Sequence, residues 1–195
     1  MQTTGVNQAV DMVWCNMQLH MASDPLQGMR QWSQALRPDG FVMFSCLGPD
    51  SLQEIRALYQ AQGWPPPHHP WVDMHDWGDL LLKAGFEQPV MDMTHLTLTY
   101  PDAKALLKEL RTLGRNLHPD RFKGLRGRAW HRDLCNQLHK RLASDHHNGR
   151  LALTFEIVFG HAFKASARSS APRVATLDLS EVRSMLKKKE KGQGG

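Results

Sequence analysis

Two short apolar runs, Met12 to Cys15 and Phe41 to Leu47, lack the polar alternation of a strand with one wet face. Between them Leu26, Met29, Trp32 and Leu36 recur at helical spacing. A strand, a crossover helix and a second, parallel strand read this way, and continuous apolar strands belong to a sheet covered by helices on both faces. Asp24-Pro25 supplies a cap acceptor followed by a residue whose fixed φ suits the first helical position, and Arg37-Pro38-Asp39-Gly40 ends the helix and turns the chain into the next strand. The pattern predicts an α/β fold whose ligands sit beyond the carboxyl ends of the strands, at Cys15-Asn16-Met17 and Ser45-Cys46-Leu47-Gly48.

The remaining elements follow from the same reading. Ser51 and Glu54 are spaced as a capping box before a helix carrying Leu52, Ile55, Leu58 and Tyr59. GWPPPHHPW (Gly63 to Trp71) holds too many prolines for regular structure and reads as an ordered loop or semi-rigid spacer. Its His68-His69 pair is expected to be solvated rather than metal-binding, because no second pair is spaced to converge on it. Asp76 is placed as the cap of a helix with Trp77, Leu80, Leu81 and Ala84, stopped at Gly85; Val90 to Tyr100 reads as a strand. Pro101-Asp102 opens a helix with Leu106, Leu107, Leu110, Leu113 and Leu117 on one stripe, read as core. After a loop, Trp130, Leu134, Leu138 and Leu142 mark another helix, ending near His146 to Gly149. Leu151, Leu153, Phe155, Ile157 and Phe159 then alternate along one face of a long last strand.

Strand, N-x-x-x-H (Asn16 to His20), helix, L-R-P-D-G (Leu36 to Gly40) and apolar strand together resemble the second half of a class I S-adenosylmethionine (SAM) dependent methyltransferase, from its fourth strand onward. SCLGPDSLQEIRALY, VDMHDWGDLL, LKELRTLGRNLH and GRLALTFEIVFGHAFK further resemble the branch of that family that methylates malonyl-acyl carrier protein in biotin synthesis. The resemblance covers roughly Ala9 to Lys164. It implies a Rossmann-like sheet truncated at the N-terminus, with a helical insertion before a last strand that lies antiparallel beside its neighbour. The Gly-rich loop and the acidic residue that hold most of the SAM in the family have no counterpart in this sequence. The expected organisation is an irregular start over residues 1–10, a methyltransferase portion over 11–164 with the basic helical insertion at about 101–149, and a linker with a basic tail over 165–195. Within that tail Leu179, Val182 and Leu186 are spaced for a short amphipathic helix.

Composition narrows the partners. The 195 residues carry a formal charge of +5, which favours an acidic partner. Arg115, Arg121, Lys123, Arg126 and Arg128, opposed only by Asp120, make Gly114 to Arg128 the most basic part of the folded region and the expected docking loop for an acidic carrier with a phosphate-bearing arm. Nucleic acid fits less well, since Phe122 and Trp130 alone flank the patch. Cys15, Cys46 and Cys135 are scattered in a way that suggests neither disulfides nor zinc, and no apolar run is long enough to span a bilayer, so a cytoplasmic setting without a membrane is expected.

Methyl transfer to a carboxylate needs no general base, because the nucleophile is already ionised at neutral pH. The absence of a triad or paired-carboxylate motif therefore fits the reaction that the resemblance implies. Asn16, Gln18 and His20 are the expected donor-side residues at the first strand's carboxyl end, their plain alternative being to satisfy backbone groups at a turn. Two other readings stand beside this one: a SAM-dependent methyltransferase acting on a small molecule or RNA, and a non-enzymatic remnant that binds an acidic partner. An unpaired edge on the first strand is expected to promote self-association.

Overall fold

The computed structural model describes residues 10–143 and 145–165. The expected linker and basic tail, with the amphipathic segment at Leu179 to Leu186, lie outside the described residues beyond Ala165, as does the irregular start before Val10.

Strand β1 (Val10–Asn16) and strand β2 (Leu36–Leu47) lie side by side and run the same way, with Met12 opposite Phe41 and Asn16 opposite Ser45. Helix α1 (Pro25–Ala35) crosses between them; Asp24 accepts from Gln27 N and Pro25 opens the first turn. Leu36-Arg37-Pro38-Asp39-Gly40 does more than turn the chain, because β2 already begins at Leu36. Five steps along β2 (Leu36 to Phe41) face two along β1 (Val10 to Met12), so the Arg37–Gly40 stretch bulges, with Asp39 at φ 64°. A Cβ on Gly40 would stand 2.9 Å from Arg37 O and 3.0 Å from Asp11 O, so only glycine allows this close approach.

Helices α2 (Gln53–Ala61) and α3 (Met74–Lys83) follow, then strand β3 (Phe86–Tyr100), helices α4 (Ala103–Leu110) and α5 (Arg128–Leu142), and strand β4 (Leu151–Lys164). The sheet order is β1-β2-β4-β3, with β4 antiparallel to both neighbours. The expected insertion of the last strand beside β2 is therefore present.

Several local expectations are corrected. Ser51 and Glu54 form no capping box: Leu52, at φ 53°, occupies the cap position. Ser51 Oγ instead exchanges hydrogen bonds of 3.0 Å with the Glu156 backbone, and the Glu54 carboxylate accepts from Thr154 N and, at 2.6 Å, from Thr154 Oγ1. Ser51 fastens the turn before α2 to β4 and Glu54 fastens α2 itself, because Thr154 and Glu156 on β4 stand within hydrogen-bond reach of both. Asp73, not Asp76, caps α3. The leucine stripe breaks early: α4 stops at Leu110, a short turn follows, and Gly114 at φ 113° redirects the chain, leaving Leu117 exposed.

Strand β4 also departs from the single apolar face read in its sequence. Leu151, Leu153 and Phe155 are buried on one face, whereas Val158 and Ala162 are buried on the other, and Phe159 is exposed. Two cores result. One packs Met29, Trp32, Trp77, Leu81, Phe44 and Val158 beneath α1 and α3; the other packs Leu58, Leu106, Leu138, Leu151, Leu153 and Phe155 beneath α2, α4 and α5. Each fully buried large apolar side chain contributes about 1.5–3 kcal/mol. Part of the sheet face opposite the first core is open. There Met12, Trp14, Met43, Val90, Phe159 and Phe163 are exposed, and register pairs such as Trp14–Met43 and Phe41–Phe163 place them on one surface. The edge of β1, which has no partner strand among the described residues, lies at its border.

A Cβ on Gly160 would collide with the Phe44 ring on the neighbouring strand. Gly160→Ala is expected to cost about 1–3 kcal/mol by overpacking. Urea denaturation should show a lower midpoint at unchanged slope; an unchanged midpoint would contradict this packing.

Candidate functional site

The carboxyl ends of β1 and β2 are tied together by a small polar network. Ser45 Oγ donates to Asn16 Oδ1 at 2.6 Å, and Met17 N donates to Ser45 O at 2.9 Å and to Ser45 Oγ at 3.2 Å. Met17 at φ 50° bends the chain sharply into the short turn Leu19–Met21, which carries His20. Leu47 N donates to His20 Nδ1 at 3.3 Å, so the neutral ring holds its proton on Nε2. Burial, helped by neighbouring His69, brings the His20 pKa down to about 4, and the ring is uncharged at neutral pH.

His20 borders a cavity of about 150 Å³ between the sheet and the helical layer. Its walls come from β2 (Leu47), α2 (Ile55, Tyr59), α4 (Leu107) and α5 (Leu138). The remaining wall is the proline-rich segment. His68 Nδ1 donates to His69 O at 2.7 Å, His69 Nε2 donates to His20 O at 2.8 Å, and the His68 ring stacks on Trp71 with centroids 4.0 Å apart. The two histidines are thus half-buried structural members of the cavity wall, correcting the expectation that they are solvated. Burial pushes the His68 pKa down as well. Asn116 Nδ2 donates to Pro66 O at 2.7 Å and ties the segment to the start of the basic loop.

Of the three residues expected on the donor side, only His20 lines this cavity. Asn16 and Gln18 are exposed, and Asn16 Oδ1 already accepts from Ser45. The described residues at the end of β1 do not by themselves enclose a cradle for SAM.

The basic loop divides into parts with different work. The Arg126 guanidinium sits 3.9 Å from the Trp130 ring centroid and 4.4 Å from that of Phe122, with Trp64 at 6.0 Å. Trp64 in turn packs against Tyr59 and Trp130 at 5.2 and 5.3 Å. Arg126 therefore clamps the loop onto α2 and α5, each such contact contributing about 0.5–2 kcal/mol. Arg115 borders the cavity, Arg121 Nη1 donates to His118 O at 3.1 Å, and Lys123 and Arg128 are exposed. None of Arg115, Lys123 and Arg128 forms an ion pair among the described residues. Leu125 at the loop tip is fully exposed. The cavity-lining role of Leu107, His68 and His69 was not legible in the sequence, where apolar helical spacing signals core and a proline-rich stretch signals only irregularity.

Asp50, His95 and Glu156 are the one group of potential metal ligands gathered among the described residues, with ligand atoms within 4.8 Å of one another. Glu156 Oε2 accepts from Asp50 N at 2.7 Å, and His95 Nε2 lies 3.4 Å from Asp50 Oδ2, so local contacts account for the grouping. No helix among the described residues is long and apolar enough to cross a membrane.

Comparison with known proteins places these features. No family profile matches the chain. The malonyl-[acyl-carrier protein] O-methyltransferase of Methylovorus sp. is 36% identical over 165 residues, 84% of this chain and 54% of the relative. Those of Laribacter hongkongensis and Gallionella capsiferriformans are 39% identical over 162 residues and 38% over 174, covering 82% and 88% of this chain and 53% and 58% of the relatives. A putative methyltransferase from Bacillus halodurans superposes with a TM-score of 0.54 at 12% identity, covering 85% of this chain and 68% of its own. The YcgJ protein from Bacillus subtilis superposes with the same score at 13% identity and the same coverage. Over most of its length the chain is similar to malonyl-acyl carrier protein methyltransferases, and its α/β sheet shares the fold of the two solved structures. The chain spans about half the length of the curated relatives it matches.

The unfolded His20 ring titrates near 6.5 and the folded one at about 4, so protonation favours the unfolded chain in between. Its contribution to stability is full above pH 6.5 and is lost as pH falls toward 4. The His20 ring resonances should stay flat from pH 8 to pH 5.5 in an NMR titration, and His20→Gln should flatten the acid decline in stability. A His20 midpoint near 6.5 would contradict the buried, neutral assignment.

Proposed function

We propose that this chain forms the acceptor side of a SAM-dependent O-methyltransferase that esterifies the free carboxylate of malonyl-acyl carrier protein in biotin synthesis. The observation that carries the reading is the apolar cavity at the carboxyl end of the sheet, bordered by neutral His20 on one side and by a clamped basic loop on the other. The names of the relatives point to the same substrate.

In this reading SAM supplies an electrophilic methyl group, and the residues of this chain bind, orient and dehydrate the acceptor. An ionised carboxylate needs alignment and exclusion of water rather than deprotonation. Leu47, Ile55, Leu107 and Leu138 exclude water, the neutral His20 ring puts no competing cation beside a cationic methyl donor, and Arg115 supplies the fixed positive charge on the cavity's border. Arg121, Lys123 and Arg128 face the acidic carrier, steering encounter and fixing orientation. Arg126 holds the loop in place for them. Asn16 and Gln18 stand at the end of β1, on the donor's side of the acceptor. The setting is the cytoplasm, where acyl carriers and their thioesters are handled.

Calorimetry of the chain with malonyl-acyl carrier protein at low salt is expected to give micromolar affinity. The double charge reversal Lys123→Glu with Arg128→Glu should weaken binding at least tenfold, and added salt should shrink the difference. Absence of binding, or equal affinity of the reversed variant, would overturn the reading.

A further inference from the structure

The open part of the sheet face opposite the first core is built from consecutive cross-strand rows. Met12 lies beside Phe41 and Trp14 beside Met43 on the parallel pair, and Phe41 lies beside Phe163 and Met43 beside His161 on the antiparallel one. Val90 stands on the far side of His161. Residues directly opposite on paired strands share a face, so the side chains line up as Met12–Phe41–Phe163 and Trp14–Met43–His161–Val90. A third row sets Phe159 between Ser45 and Asp92. The helical layer of α2, α4 and α5 stands on the same face, where Ile157 packs against its core, but Phe159, two residues further along β4, is exposed.

The size and chemistry of this surface favour one kind of occupant. Trp14 is 69% exposed, and Met12, Met43, Val90, Phe159 and Phe163 are exposed with it. With aromatic side chains carrying about 150–250 Å² each, these exposures leave on the order of 500 Å² of apolar surface. Closing two such surfaces on each other removes about 1,000 Å² from water, the size at which specific protein interfaces begin. Phe41, His161 and Phe163 form an aromatic cluster within it, with ring centroids 4.9, 5.5 and 6.1 Å apart. No lysine or arginine stands in the three rows, and the carboxylates of Glu87 and Asp92 lie only at the border, on β3. The interior therefore carries no fixed charge to select an acidic or a basic partner. A broad face made by four strands stacks on another sheet, and this chain itself supplies a matching one.

We infer that this face packs against the same face of a second copy, sheet on sheet, in a closed symmetric dimer. Because α2, α4 and α5 rise from the same side of the sheet, the two copies meet with their strands antiparallel, each helical layer standing past the end of the other copy's open face. The row of Trp14, the middle one of the three, then lies at the twofold axis, and the contact is isologous and closes on itself. None of the six exposed residues lines the cavity at His20, so association and acceptor binding use separate surfaces.

Methionines on the two sides of the sheet provide the test on the unaltered full chain. Met12 and Met43 are 44% and 45% exposed on the open face, whereas Met93 is 41% exposed on the other face, opposite Val158. Hydrogen peroxide at low conversion transfers one oxygen to each accessible thioether and is reduced to water. At concentrations where sedimentation shows twice the chain's mass, Met12 and Met43 are expected to oxidise several-fold more slowly than Met93, and on dilution the three rates should converge. Three equal rates at every concentration would overturn the dimer. Protection of Met12 and Met43 that persists in the monomer would overturn it too, because the face would then be covered within one chain.

Trp14→Lys combined with Phe159→Lys is expected to raise the dimer dissociation constant by about tenfold or more while circular dichroism stays unchanged, and Met93→Lys should leave it unaltered. Since the contact is apolar, high salt should not weaken it, in contrast to carrier binding. A sedimenting monomer at every concentration, a dimer that dissolves in salt, or an open-ended series of larger species would contradict the face-to-face contact, the last by pointing to edge pairing through β1.

Discussion

The antiparallel insertion of β4 between β2 and β3 is the constraint on which the rest of the structure depends. One strand supplies both cores: its first residues, Leu151 to Phe155, support the helical layer above the cavity, and Val158 and Ala162 support the layer made by α1 and α3. Because side chains alternate across a strand, the change of buried face along β4 requires the covering layers to change sides as well. The turn Gly48 to Leu52 is fastened to β4 through Gly48 N to Glu156 O, Leu52 N to Thr154 O, Ser51 and Glu54. The carboxyl end of β2, where chemistry is expected, is thus positioned by a strand more than a hundred residues later. Gly160 beneath Phe44 shows how little slack that contact has.

Function follows from what the insertion leaves open. Above Leu47 the helical layer does not close, and the gap is bounded mainly by leucines, prolines and the neutral His20 ring, with Arg115 the one arginine on its border. A site of this kind lowers the dielectric around an ionised acceptor without competing for it. Most of the basic loop lies outside the cavity, and Arg126 links the two regions: its stack with Phe122, Trp64 and Trp130 joins the loop to the wall of the cavity. One of the five basic residues, Arg126, thus serves architecture, and Arg121, Lys123 and Arg128 are carried on the loop that it fixes.

Much of this architecture was legible in the residues. Continuous apolar runs gave β1 and β2 as parallel neighbours, and Asp24-Pro25 and Asp102 marked helix starts where the structure has them. The readings that failed share a cause: local patterns were outbid by tertiary partners. Ser51 and Glu54 have the spacing of a capping box, yet β4 offers both of them better-placed groups. His68 and His69 sit in a stretch with no periodicity, and only the fold brings Trp71 and His20 to them. The stripe through Leu113 and Leu117 continues in sequence after the helix has ended, because Gly114 turns the chain away. The candidate site was half visible: His20 and the basic loop could be named, whereas the cavity between them is made by elements far apart along the chain.

The measurement that bears most directly on this account is a backbone NMR titration of the chain with malonyl-loaded and with unloaded acyl carrier protein. Both should perturb Arg121 to Arg128, and only the loaded carrier should also perturb His20, Leu47 and Leu138. Perturbations confined to the open sheet face around Trp14 and Phe159, or identical for the two carriers, would contradict the assignment of the cavity as the acceptor site.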